Sequence, residues 1–172
     1  MMLRRLLRFG ALTPVLLLAL LPVAASADSG MAVSVGSPAT RASLGLLMPI
    51  SVTCPAPSSD PDTSQSLFGT LQVIQTNGNS NVAVGVATLS SGGKGAFVSP
   101  QPGVDLICGG SAHAYQALVM PDVQTYPFTA AFTGGQATAT LSLTLFTFTC
   151  PPCLAPTTTT VTTGPVAIHI KG

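Results

Sequence analysis

The chain has 172 residues, of which 47% are hydrophobic and only 6% are charged, and its formal net charge at pH 7 is +1. Three of its basic residues lie near the N-terminus, at positions 4, 5 and 8, so the rest of the chain is slightly acidic. A protein with so few charges has no electrostatic attraction for nucleic-acid phosphates or anionic lipid. We therefore expect neither nucleic-acid binding nor binding to a membrane surface.

The N-terminal segment has the organisation of a secretory signal peptide. Its arginines precede an apolar run over residues 12–23 and the small residues Ala25, Ser26 and Ala27, a typical cleavage site. We predict that residues 1–27 are cleaved off and that the protein is secreted, to the extracellular space or the cell envelope. The apolar run is shorter than the roughly 20 residues that a transmembrane helix needs. We therefore expect no membrane span after cleavage.

The composition of residues 28–172 indicates an all-β domain. The segment contains neither Trp nor Glu, and none of it has apolar residues at helical spacing over three turns. Gly, Pro, Thr, Ser and Val, the residues of strands and turns, are abundant instead. A chain of about 145 residues is long enough to form one domain with its own core.

Alternating apolar residues mark the first strands, over residues 31–35 and 46–54. The alternation from Leu46 to Cys54 puts Cys54 on the buried face at a strand end. Pro49 points outward and lacks an N–H, so this strand is expected to be at an edge or to be bulged there. In the loop that follows, Asp60 and Asp62 could ligate calcium, but two carboxylates without a third ligand fit a solvated turn better.

Two β-hairpins are predicted in the middle of the chain. The Asn-Gly pair at positions 77–78 joins residues 67–76 to residues 82–89, and this pair is a strong hairpin signal. Residues 104–108 end at Cys108, which faces inward, and they turn through residues 109–111 into a strand at 113–120.

The longest predicted strand covers residues 136–149. Its apolar residues change face at Phe146, which implies a bulge or a strand that is covered on both sides. We predict a domain over residues 28–153, followed by a Thr-rich tail over residues 154–172 that adds an edge strand.

Two segments carry a resemblance to a known family. Ser51-Val52-Thr53-Cys54-Pro55, together with Leu106-Ile107-Cys108-Gly109-Gly110 and the strand that bears Tyr115, resembles the immunoglobulin-like modules of secreted bacterial proteins. The resemblance covers residues 31–149. It implies a disulfide-stapled, immunoglobulin-like two-sheet β-sandwich of about 7–9 strands.

The four cysteines allow three pairings. Cys150 and Cys153 are close in sequence, so the simplest assignment bonds them to each other and bonds Cys54 to Cys108. A Cys-Pro-Pro-Cys redox site would need a helix after it, and the residues that follow are β-prone. A zinc site that also uses His113 or His169 is a further alternative, since closed zinc sites need four ligands.

No pattern in the chain predicts an enzyme. Ser111 and His113 are close in sequence, but Gly109-Gly110-Ser111 lacks the glycine that a nucleophile elbow requires at position 113. We expect no catalytic residue, cofactor or metal. The predicted function is a secreted non-enzymatic structural or adhesion module that binds a protein or glycan at the cell surface. The alternative is a small exported thiol-redox or metal-handling protein that uses Cys150 and Cys153.

Overall fold

The computed structural model describes residues 25–26, 30–43, 45–78, 81–91 and 103–172. Within these ranges the chain forms 11 strands and no helix, which confirms the all-β class. The strands are β1 (Ala25–Ser26), β2 (Ala32–Val35), β3 (Ala39–Ala42), β4 (Gly45–Thr53), β5 (Thr63–Asn77), β6 (Asn81–Ser90), β7 (Gly103–Asp105), β8 (Ala112–Pro121), β9 (Gly135–Thr149), β10 (Thr157–Thr162) and β11 (Val166–Lys171). Of the predicted signal peptide, only β1 lies within the described residues.

Seven strands close into a barrel. In the described residues β4, β3, β11, β9, β5, β6 and β8 are neighbours in that order, and β8 pairs again with β4. The pairing is therefore continuous, whereas the sequence predicted two separate sheets. Two junctions are short, because β11 meets β3 and β6 meets β8 through only two residue pairs each. The barrel is nevertheless closed by pairing at both of these narrow junctions, so it is not plainly the two-sheet sandwich that the sequence predicted.

The C-terminal segment is part of this barrel. β11 pairs with β9 on one side and with β3 on the other, so it is not the edge strand that the sequence predicted. Ile168 and Ile170 alternate with outward residues, which gives β11 one apolar face, and both lie in the common core with Val161 of β10. The boundary predicted after residue 153 therefore crosses a continuous sheet.

The hairpin predicted over residues 104–120 does not form, although all of these residues are described. β7 pairs in parallel with β6, while β8 pairs with β4 and β6. Gly110, at φ +80°, donates its N–H to the Cys54 carbonyl at 2.9 Å. The Ile107 N–H donates to the Tyr115 hydroxyl at 2.9 Å. These bonds direct residues 106–111 toward the end of β4 rather than back along β7.

The hairpin of β5 and β6 forms as predicted, with pairs from Phe68 with Ser90 to Asn77 with Asn81. The inward residues of β6 are mostly small, and its three valines lie on the opposite face, where Val84 is nevertheless buried. A Cβ atom on the inward Gly85 would lie 2.8 Å from the Phe132 ring. The interior therefore has no room for a larger side chain at this point of β6.

β9 pairs with β5 without interruption from Thr149 to Thr138, so no bulge accompanies the change of face at Phe146. The irregularity lies on the other edge of β9, where residues 163–165 separate β10 from β11. The fully buried Thr163 bridges this gap. Its N–H donates to the Leu141 carbonyl at 2.9 Å, and the Leu141 N–H donates to its Oγ1 at 3.0 Å.

Pro49 is accommodated within a strand that is paired on both sides. β4 pairs with β8 through residues 46–53, and β2 and β3 occupy different parts of its other edge. The Pro49 carbonyl accepts the Gly36 N–H at 2.8 Å on that second edge. In an antiparallel strand the N–H and C=O of one residue point to the same side. The missing N–H therefore faces the gap between β2 and β3, so the strand needs neither an edge position nor a bulge.

Candidate binding surface

Both disulfides expected from the sequence are present. Cys54 is bonded to Cys108 with Cα atoms 4.9 Å apart, and Cys150 is bonded to Cys153. The first bond ties the end of β4 to the segment before β8, and Cys54 is buried in the core. The second closes the exposed turn between β9 and β10. Disulfides persist in oxidising surroundings, so the two bonds indicate an oxidising, extracellular type of environment.

The Cys150–Cys153 turn lacks the local structure that activates a thiol. A nucleophilic cysteine of the thioredoxin type lies at a helix N-terminus, which stabilises the thiolate. Here residues 154–156 are irregular and β10 begins at Thr157, so the chain continues into a strand. The turn is also tied to the β5 end of the barrel, because the Cys150 N–H donates to the Asp62 carbonyl at 2.8 Å.

The residues considered as metal ligands lie apart. The Asp60 carboxylate accepts hydrogen bonds from the Asp62 N–H at 3.0 Å and the Thr63 hydroxyl at 2.9 Å, which makes it the centre of a local turn. His113 lies on β8 beside Tyr115, whereas His169 lies on β11. In the ranges that the structure describes, no group of three or more His, Cys, Asp or Glu side chains could hold a metal ion.

The outer surface of β6, β5, β9 and β10 carries an unusual combination of side chains, which we call the Thr–Phe face. Its members alternate along these strands with the buried residues of the barrel. In order across the strands they are Thr88, Ser90, Ser64, Ser66, Phe68, Thr70, Ser142, Thr144, Phe146, Phe148, Thr158, Thr160 and Thr162. All of these side chains are uncharged, and ten of the thirteen are hydroxyls.

Three phenylalanines lie at outward positions on this face. Phe68 is 37% exposed and Phe148 is 40% exposed, and Phe146 is half-buried between them. The rings of Phe68 and Phe146 have centroids 6.0 Å apart at an interplanar angle of 73°. This edge-to-face arrangement is a favourable aromatic geometry that does not stack one ring face on the other.

A groove of about 350 Å³ runs beside these two rings. Hydroxyl side chains line it on both sides, from Thr88 and Ser90 on β6 to Ser142 and Thr144 on β9. Its volume is at the lower end of the roughly 300–1,000 Å³ that is usual for ligand pockets. The groove therefore has the size for a small ligand unit or for part of a longer one.

Hydrogen bonds between neighbouring strands fix two pairs of hydroxyls on the Thr–Phe face. Ser142 Oγ and Thr162 Oγ1 are 3.0 Å apart, and Thr144 Oγ1 and Thr160 Oγ1 are 2.9 Å apart. Because each hydroxyl has one donor hydrogen and two acceptor lone pairs, each bonded pair retains one free O–H and several free lone pairs. The pairs are thus oriented and can still bond a ligand.

A second exposed apolar patch lies on the connection between β8 and β9. It consists of Val123, Tyr126 and Phe128, and Phe128 is 98% exposed. The connection is anchored to β6, because the Val84 N–H donates to Thr129 Oγ1 at 2.7 Å. This patch has three residues, fewer than the Thr–Phe face. It is also distant from that face, because Val84, which anchors it, lies six positions, or about 20 Å along the strand, from Ser90.

The sequence alone contained a signal for the Thr–Phe face. Along β9 the outward positions change from hydroxyl residues to Phe146 and Phe148, a pattern that in the sequence alone indicates a change of buried face. The pairing with β5 shows that these rings face outward beside Phe68.

Comparison with protein-family models, with curated proteins and with solved structures gives no match. Among the residues that the structure describes, none belongs to a helix with the length and hydropathy needed to cross a membrane.

Proposed function

We propose that this protein is a secreted, non-enzymatic structural or adhesion module of the cell envelope or extracellular space, and that the Thr–Phe face is its binding surface. The observation that carries the proposal is the exposure of Phe68 and Phe148 on a face without a single charged residue. Apolar groups that are grouped on a surface and surrounded by polar residues mark interaction sites. The face is built on paired strands, so little conformational entropy is lost when it binds.

Kinship with the immunoglobulin-like modules of secreted bacterial proteins is part of this proposal. The all-β fold and the long-range Cys54–Cys108 bond support it. A redox role for Cys150 and Cys153 has less support, since a strand rather than a helix follows them.

The experiment measures binding of the purified mature protein to the envelope fraction of the producing cell. We expect saturable binding that falls at least about tenfold in a Phe68→Ser/Phe148→Ser double variant, because exposed aromatic anchors dominate binding energy at such surfaces. Both substitutions are at outward positions, so the thermal melt should change little. Phe128→Ser is the control, since it removes an even more exposed phenylalanine from the other patch. Loss of binding in the control alone would overturn the proposal.

A further inference from the structure

We infer that the Thr–Phe face binds an uncharged oligosaccharide through pyranose rings that stack on Phe68 and Phe146 and hydroxyl groups that bond the flanking Ser and Thr side chains. This inference rests on the proposed function and names the ligand class of its binding surface. Four properties of the face support it: its lack of charge, its aromatic rings, its oriented hydroxyls and its dimensions.

The lack of charge on the Thr–Phe face argues against an ionic ligand. None of the thirteen side chains on the Thr–Phe face is ionisable. A charged ligand that loses water on binding needs a charged or strongly hydrogen-bonding partner, and the desolvation cost is large without one. The complementary ligand is therefore neutral.

The rings and hydroxyls together match the two kinds of surface on a sugar. A pyranose ring has an apolar face of C–H groups, which packs on an aromatic ring, and an equatorial rim of hydroxyls. Phe68 and Phe146 are nearly perpendicular, at 73°, so neither ring stacks over the other and Phe68 remains 37% exposed. Thr70, Thr88 and Ser90 line the same groove. Because serine and threonine hydroxyls both donate and accept, they can bond sugar hydroxyls, which do the same.

The oriented pairs at Thr144–Thr160 and Ser142–Thr162 strengthen the match. Their O···O distances of 2.9 and 3.0 Å hold the hydroxyls in place before a ligand arrives. Preorganised polar groups lose little entropy on binding and therefore contribute more to affinity. Protein interfaces are enriched in Tyr, Trp, Phe, Met and Arg and depleted in Ser. The Thr–Phe face has phenylalanine in common with them, but ten of its thirteen side chains are hydroxyls, which fits a sugar better.

The dimensions indicate a chain of sugars rather than a single one. The four strands span about 14 Å, since neighbouring strands are about 4.8 Å apart, and successive outward residues along a strand are about 6.8 Å apart. The groove beside the rings has a volume of about 350 Å³, and only part of the Thr–Phe face lines it. A ligand with several units would use both the groove and the hydroxyl pairs beyond it.

Affinity electrophoresis tests the inference. The mature protein is run through gels that contain hydroxyethyl cellulose, galactomannan or the anionic polygalacturonate. We expect retardation by at least one neutral polysaccharide and none by polygalacturonate. Phe68→Ser should weaken the retarding interaction at least about tenfold. The Thr144→Val/Thr160→Val double variant, which keeps the side-chain shape, should weaken it about three- to tenfold, the loss expected for one or two hydrogen bonds.

Thr138→Val is the matched control, because Thr138 is an exposed outward threonine of the same strand, six positions from Thr144. It should bind as the unsubstituted protein does. Retardation by no neutral polysaccharide, or equal loss in the control, would overturn the inference.

A second arm separates this inference from the proposed function. Envelope fractions are treated with periodate, which cleaves the vicinal diols of sugars, or with protease. Binding that is lost after periodate and kept after protease supports the glycan ligand. Binding that survives periodate, is lost after protease and still requires Phe68 and Phe148 refutes the glycan and leaves the proposed function in place. Envelope binding that is unchanged in the Phe68→Ser/Phe148→Ser variant refutes both the glycan ligand and the proposed function.

Discussion

The replacement of Ile170 by Ala tests whether the C-terminal strand is part of the barrel core. Ile170 is fully buried on β11, and its neighbours in the sheet are Gly135 of β9 and Ala39 of β3. The substitution removes methyl and methylene groups worth about 2.4 kcal/mol of transfer free energy. The cavity that remains adds to this loss, and we expect a total decrease of about 3–4 kcal/mol in the free energy of unfolding.

This loss is measured by denaturant unfolding followed by far-ultraviolet circular dichroism. A single transition should move to lower denaturant with an unchanged slope, because β11 unfolds together with the rest of the barrel. The melting temperature should fall by about 10 °C for a domain of this size. His169→Ala is the control on the same strand. Its side chain is exposed, so the change should be within about 0.5 kcal/mol.

An Ile170→Ala variant whose main transition stays in place would refute the reasoning. Such a result, with or without a separate small transition, would mean that the segment after residue 153 is a tail outside the domain. The closed order of strands through β11 would then not hold in solution.

The two disulfides and one buried side chain provide further predictions. Replacing Cys54 and Cys108 by Ser should cost about 4 kcal/mol and replacing Cys150 and Cys153 about 2 kcal/mol, because the closed loops have sequence separations of 54 and 3. Melts of the two double variants check this order, and an equal loss would contradict it. Gln75→Leu should cost about 1–3 kcal/mol, because the buried amide receives the Thr133 N–H at 2.9 Å and donates to its carbonyl at 3.0 Å. Denaturant unfolding measures this loss, and a variant as stable as the parent would show that water replaces the amide.

Local patterns in the sequence predicted much of the barrel. The alternation from Leu46 to Cys54 put those residues on the buried face of β4, and the Asn-Gly pair at 77–78 marked the hairpin of β5 and β6. These features depend on the two-residue period of a strand and on the conformation of a turn. Both are properties of a few neighbouring residues, so they can be read without knowledge of the rest of the chain.

Strand partners and the direction of each face depended on the tertiary structure. β7 and β8 are adjacent in sequence with a glycine turn between them, yet β7 pairs with β6. The Leu106 N–H extends this pairing by donating to the Ser90 carbonyl, and the Gly110 N–H donates to the distant Cys54 carbonyl. On β6, a Cβ atom at position 85 would lie 2.8 Å from the Phe132 ring, so the inward face has room only for glycine at that point, and the three valines lie on the other face.

The candidate binding surface shows the same division. Its hydroxyl and phenylalanine residues were visible in the sequence as an alternating pattern, but their outward direction was not, because an apolar residue in a strand usually faces the core. The uninterrupted register of β9 with β5 brings Phe146 beside Phe68 and keeps both on the outer face. The sequence by itself determined the strands and the alternation within them. Only the tertiary structure decided which residues from separate strands meet, since a single shift in register would turn every side chain of a strand to its other face.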